Sequence, residues 1–305
     1  MVTDRNSVPF SPIRRLGTGD LRHCVALSID RGWLPERSKW ALLLAETEAF
    51  GVDAPDGGLA GCVVLARYGP DLGSVGMMLV AARYGRRGLG RALMEHLLAE
   101  AGAATVTLFA TDQGRPLYEK LGFRVIRRNV AFVGAFRPEP GAGHPGAERP
   151  GAVGPGAGGP AAGPPVRPAA DADMPAILGA DKAAFGADRS RLLLRLPTFA
   201  ERLLVLETAN GIAGYAAAWR NEAATVIGPV VAPDAADACQ LITGLAAPAR
   251  GQVRLDLDPD RPELPRWAFA RGLQPVARNA VMAHGDWTPR GTPSYLFAPI
   301  SVALA

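Results

Sequence analysis

The chain has 305 residues, 48% of them apolar, and a formal net charge of +4. This is enough for two domains with packed cores. So small a charge gives no case for nucleic acid or a membrane surface as partner, and no apolar run reaches membrane-spanning length.

In chain order, Gly19-Asp20 opens a helix running to about Asp30, Gly32-Trp-Leu-Pro35 breaks it, and a second helix spans about 36–46. Residues 49–53, 59–68 and 74–81 read as strands. A glycine-rich turn follows, then a helix with Leu89, Leu93 and Leu97 on one stripe and Met94, Leu98 and Ala101 beside it. His96 lies among these and reads as a partly covered helix residue. A buried strand, 105–110, a short helix and a strand from Arg124 to Phe132 complete the first half. Residues 137–165 are nearly all Pro, Gly and Ala, a composition that cannot bury apolar surface, and read as a linker between units 1–136 and 166–305.

The second unit follows a similar plan: helices over 171–185 and 189–196, strands over 203–207, 212–219 and 225–232, a helix over 235–245, a strand over 253–257, a helix ending at Gly272-Leu273, and a last strand. Gly122 to Phe132 lines up with Gly272 to Met282, each copy carrying Arg-Asn six and seven residues after its glycine. Cys24, Cys62 and Cys239 are widely spaced, form no Cys-x-x-Cys, and read as small apolar residues rather than a disulfide framework. The first residues carry no apolar leader, and a cytoplasmic protein is expected.

The chemistry is concentrated in Val80-Ala-Ala-Arg-Tyr-Gly-Arg-Arg-Gly-Leu-Gly-Arg-Ala-Leu93. A strand ends here in a basic, glycine-rich turn that opens into a helix. A helix start offers unpaired N–H groups and partial positive charge, and glycines let a phosphate come close. Neither G-x-G-x-x-G nor the P-loop pattern is met, so the turn reads as a pyrophosphate site of another kind. The next strand is followed by Thr111-Asp-Gln-Gly-Arg-Pro-Leu-Tyr-Glu-Lys-Leu-Gly-Phe123.

These two motifs, in this order and at this spacing, resemble the GNAT acetyltransferase superfamily over about residues 10–136. The resemblance implies a mixed α/β fold of two GNAT-like domains, each a mostly antiparallel twisted sheet flanked by helices, the second domain degenerate. It implies an N-acetyltransferase with acetyl-CoA as cosubstrate, no metal, and a small-molecule or peptide amine as acceptor. The pantetheine arm would lie on Met78, Leu79 and Val80. The N–H groups of Arg86, Arg87, Gly88, Leu89, Gly90 and Arg91 would hold the pyrophosphate. Tyr118 would protonate the leaving thiolate. Two positions depart from the family pattern: Gly85 stands for the usual Arg or Gln, with Arg83 or Arg86 left to supply the charge, and Thr111 stands for a frequent asparagine. Glu46, Glu48, Asp112, Glu222 and Asp256 are unranked candidates for the general base. In the second copy Ala268 falls opposite Tyr118, and Asp234 and Asp237 stand where a pyrophosphate would go, so that copy is expected to cover the acceptor pocket. A non-catalytic acyl-CoA-responsive binding protein, and acylation of the amine of a small thiol precursor, remain open as alternatives.

Overall fold

The structure is a computed structural model describing residues 11–139 and 165–304; most of the Pro/Gly/Ala-rich segment lies outside the described residues. The first half runs β1 (Arg14–Leu16), α1 (Leu21–Asp30), α2 (Arg37–Glu46), β2 (Glu48–Asp53), β3 (Leu59–Arg67), β4 (Leu72–Val80), α3 (Leu89–Ala101), β5 (Thr105–Ala110), α4 (Arg115–Lys120) and β6 (Arg124–Ala135). The second half runs β7 (Val166–Pro168), α5 (Met174–Phe185), α6 (Ser190–Leu193), α7 (Leu196–Phe199), β8 (Arg202–Thr208), β9 (Gly211–Arg220), β10 (Ala224–Val231), α8 (Ala235–Ala246), β11 (Gln252–Leu257), α9 (Glu263–Ala270), β12 (Gln274–His284) and β13 (Leu296–Ala298).

The halves repeat in detail. In each, the turn after the last helix bonds identically: Phe123 N–H to Tyr118 O at 3.0 Å, and Leu273 N–H to Ala268 O at 3.1 Å. Arg14 of β1 bonds Asp20 (2.7 Å) and Asp53 (2.8 Å); Arg167 of β7 bonds Asp173 (2.7 Å) and Glu207 (2.6 Å). The Arg-x5-Asp spacing behind this second match went unread in the sequence.

All strands join one sheet in the order β1-β2-β3-β4-β5-β12-β6-β11-β10-β9-β8-β7, with β13 added on β10. Among the described residues only β4·β5 and β10·β11 are parallel. The last strands are exchanged: β12 pairs with β5 of the first half, and β6 pairs with β11 of the second. The cores follow the strands. Met282 of β12 packs into the core of the first half, while Val130 and Phe132 of β6 pack with Leu255, Leu257 and Leu273. Burying a side chain of this size contributes about 1.5–3 kcal/mol, so each half depends on the strand it borrows.

A further layer joins the halves. Asp181 of α5 is fully buried and accepts from Arg189 at 2.6 and 3.0 Å and from the Tyr215 hydroxyl at 2.6 Å. Arg189 also stacks 4.0 Å from the Phe185 ring centroid. Phe185 in turn meets Tyr68 of the first half edge-on at 5.2 Å. Glu46 of α2 accepts from Arg191 and Arg195 across the same boundary.

Candidate active site

The site begins where β4 leaves β5. Their parallel register ends at Val75↔Leu108. Just beyond, Met77 has φ +49 and the pairing of β4 with β3 slips. Such a bulge bends a strand away from its neighbour. The strands splay, and a cavity of about 930 Å³ opens between them, lined from both halves.

The turn after β4 is pinned from outside. Ala82 N–H donates to Asp30 Oδ2 at 2.7 Å, and the buried Tyr84 donates its hydroxyl to Asp56 at 3.1 Å. Arg83 is drawn to the same carboxylate at 2.7 Å and does not line the cavity; Arg86 does. Arg86 has φ +62 and Gly88 φ +81, which turns the chain sharply into α3. The N–H groups of residues 86–91 take no partner among the described residues, as the first turn of a helix leaves them. Gly90 permits close approach: a Cβ there would lie 3.1 Å from Met78 Cε.

Of the residues expected to hold the cofactor, Met78, Leu79, Val80, Arg86, Gly88, Leu89, Gly90, Arg91 and Thr111 line the cavity. Arg87 does not; its side chain lies over the Tyr84 ring, 5.8 Å from the centroid, so only its backbone faces the turn. Arg91 is bonded to Glu95 at 2.7 Å. Thr111 Oγ1 accepts from Gly114 N–H at 3.2 Å, so the hydroxyl fixes the start of α4 and keeps its proton to donate.

Tyr118 lines the cavity, held by Phe123 edge-on at 5.9 Å. Its ring is buried, yet its hydroxyl has no partner among the described residues. Burial raises its pKa to about 12, because the phenolate would lose its hydration. At neutral pH the group is a proton donor.

Among the five carboxylates named as candidate bases, only Asp256 lines the cavity. Glu46 is consumed by Arg191 and Arg195, and Glu48 by Arg67 at 2.6 Å. Asp112 is exposed. Glu222 accepts from the N–H groups of Glu36 (3.0 Å) and Arg37 (3.4 Å), capping α2 from the other half. Glu36 itself lines the cavity and was missed; the Gly32-to-Pro35 break before it was the available signal. The three non-glycine residues with positive φ among the described residues, Glu36, Met77 and Arg86, all line this one cavity. A left-handed backbone at such residues is unfavourable and gathers at functional sites.

The equivalent opening in the second half is closed. β10 leaves β11 after Val226↔Arg254, and β13 then bonds β10 at Val230 and Val231. At the start of α8 the Asp234 carboxylate accepts from Asp237 N–H at 2.9 Å, which takes a donor that a phosphate would use. From β13 the chain crosses into the first half. Ile300 O accepts from Trp219 Nε1 at 3.0 Å, Leu304 O accepts from the Tyr68 hydroxyl, and Ser301 to Ala303 line the open cavity.

Comparison with known proteins agrees with this architecture. Residues 41–125 and 177–298 each match a family model described as an acetyltransferase (GNAT) domain. An uncharacterized N-acetyltransferase of Bacillus subtilis (strain 168), YitH, is 29% identical over 268 residues, covering 86% of this chain and 87% of that protein. A provisionally assigned acetyltransferase from Pyrococcus horikoshii superposes with a TM-score of 0.78 at 20% identity, covering 100% of this chain and 99% of the other. A tandem GNAT protein from the clavulanic acid biosynthesis pathway superposes at 0.61, with 16% identity over 91% of this chain and 99% of the other. With a GNAT domain matched in each half and an N-acetyltransferase relative aligned over 86% of the chain, the chain is a tandem GNAT superfamily acetyltransferase.

Proposed function

We propose that the protein transfers the acetyl group of acetyl-CoA to an amine, with residues 1–136 carrying the cofactor site and the transfer chemistry and residues 166–305 walling the acceptor pocket. The observation that carries this reading is Tyr118. Its ring is buried, and its protonated hydroxyl, without a partner among the described residues, shares the cavity with the splayed end of β4 and the unpaired N–H groups of the Arg86–Arg91 turn. The superfamily uses acetyl-CoA, and these residues suit it. The turn and Arg86 would take the pyrophosphate. Met78 to Val80 would run beside the pantetheine, and the thioester would reach the splay.

In this reading the acceptor nitrogen attacks the thioester carbonyl carbon. The C–N bond forms, the C–S bond breaks, the thiolate takes the proton of Tyr118, and the proton shed by the attacking nitrogen returns through solvent to restore the phenol. The filled groove between β10 and β11 and the self-capped α8 support one cofactor site per chain.

The test is release of CoA thiol from acetyl-CoA on addition of a panel of primary amines, with acetylated product followed by mass. Amine-dependent release supports the reading. Acetyl-CoA binding with no transfer to any amine would favour the non-catalytic alternative.

A further inference from the structure

Four charged side chains from the two halves line the cavity: Glu36 and Lys39 at the start of α2, and Arg254 and Asp256 on β11. Three are withdrawn from solvent, the Glu36 and Lys39 side chains being 12% and 7% exposed and that of Asp256 4%, while the Arg254 side chain is 27% exposed. The Glu36 carboxylate accepts from Lys39 Nζ and, at 3.3 Å, from Asn221 Nδ2. Arg254 lays Nε and Nη2 on Asp256 at 3.0 and 2.9 Å, and Asn129 Nδ2 reaches the same carboxylate at 3.4 Å. Burial lowers the Arg254 pKa, but the charges of Asp256 and Glu36 outweigh it and keep the guanidinium ionised.

Two features make this a recognition site rather than a closed pair of ion pairs. The first is unused capacity. The Nη1 side of Arg254 and two of the three Lys39 donors have no protein partner among the described residues, and both side chains line the open cavity, where a ligand can reach them. The second is construction. Glu36 is held at φ +40, a conformation that costs free energy, by a cap that comes from Glu222 of the other half. The strand exchange puts Asn129 beside Asp256.

The formal charges sum to zero, two carboxylates against two cations. A ligand with net charge would set an uncompensated charge against groups already paired and mostly covered. An apolar amine would leave Arg254 Nη1 unserved. A small amine that carries its own carboxylate meets both conditions. On the acetyltransferase reading above, we propose that the acceptor is such a zwitterion, its amino end at Glu36 and its carboxylate at Arg254. The charge balance disfavours phosphate dianions, polyamines and plain alkylamines.

The experiment compares matched acceptors at fixed acetyl-CoA: amino acids of increasing amine–carboxylate separation, their decarboxylated amines, and the corresponding aminophosphonates. For at least one separation, kcat/KM for the amino acid should exceed that of its decarboxylated partner by about 10- to 100-fold, the worth of one charge-assisted hydrogen bond. Arg254→Gln should shrink that ratio by a similar factor, and Glu36→Gln should raise KM for the acceptor more than for acetyl-CoA. The wild-type ratio needs no variant, so a poorly folded Arg254→Gln does not spoil the test. Equal or faster transfer to decarboxylated amines would overturn this inference and leave the acetyltransferase reading standing. If no amine is acetylated, that reading fails instead. The inference is then decided by thermal shift with the same ligands at millimolar concentration, and it falls if the amino acids bind no better than the amines.

Discussion

Asn129 of β6 and Asn279 of β12 are direct cross-strand partners at the centre of the sheet. They are also equivalent positions in the two halves, each seven residues after the glycine that ends a matching helix turn. An antiparallel pair in which equivalent residues face each other lies on a two-fold axis. The repeat is therefore a pseudo-symmetric pair closed like a C2 dimer, with the exchanged strands at its axis. The cavity opens at the splayed strands of the first half, and Asn279 lines it from the second.

The exchange predicts how the chain behaves when divided. Residues 1–139 alone lack β12, so β5 would present an unpaired edge. That fragment should be insoluble or unfolded by circular dichroism. A chain with an engineered protease site between residues 150 and 151 should, once cut, elute as one species and keep its melting temperature. Independent folding of the first fragment would contradict the exchange.

Tyr118→Phe separates chemistry from packing. The hydroxyl has no protein partner among the described residues, so its loss should change stability by no more than about 0.5 kcal/mol. Loss of a general acid should lower kcat by about 100-fold or more while Kd for acetyl-CoA stays within about threefold. A large fall in melting temperature would assign the residue to the core instead.

Alkaline stability follows from buried phenols. Tyr118 is held at about 12, and burial also raises Tyr68 and Tyr215. Above pH of about 10 the unfolded phenol has lost its proton and the folded one has not. The unfolded state then binds fewer protons, so stability is fully present below about pH 10 and falls as pH rises, by about 1.4 kcal/mol per unit for each such group. Urea midpoints measured from pH 8 to 11 should be level and then drop. Tyr118→Phe should drop less steeply.

Arg189→Met removes the partner of Asp181 and leaves a carboxylate and the Tyr215 hydroxyl in a dry interface. Breaking one side of a buried pair costs about 3–5 kcal/mol. The melting temperature should fall by several degrees, with acceptor KM rising as the halves loosen. An unchanged melt would mean that the network adds nothing to the join between halves.

Much of this was legible in the sequence because it is local. The glycine turn, Tyr118 with Gly122-Phe123, and the paired Gly-to-Asn strands depend on residues within one turn or strand, and Ala268 does fall at the position of Tyr118. The exchange was not legible. β6 and β12 carry similar patterns, and either could pair with β5, so the choice rests on which core receives Met282 and which receives Phe132. Glu36 was hidden for a related reason: its position depends on Glu222 and Asn221, 186 and 185 residues away. The contact of Arg83 with Asp56, on the loop before β3, is likewise beyond local spacing.

The central claim is that one of two related halves keeps a cofactor site. Calorimetric titration of the full chain with acetyl-CoA tests it most directly. The account predicts one molecule bound per chain, with affinity reduced about tenfold or more in Arg86→Gly, which relieves the positive φ but removes the cation. Two molecules bound, or no heat and no thermal stabilisation at saturating acetyl-CoA, would contradict it.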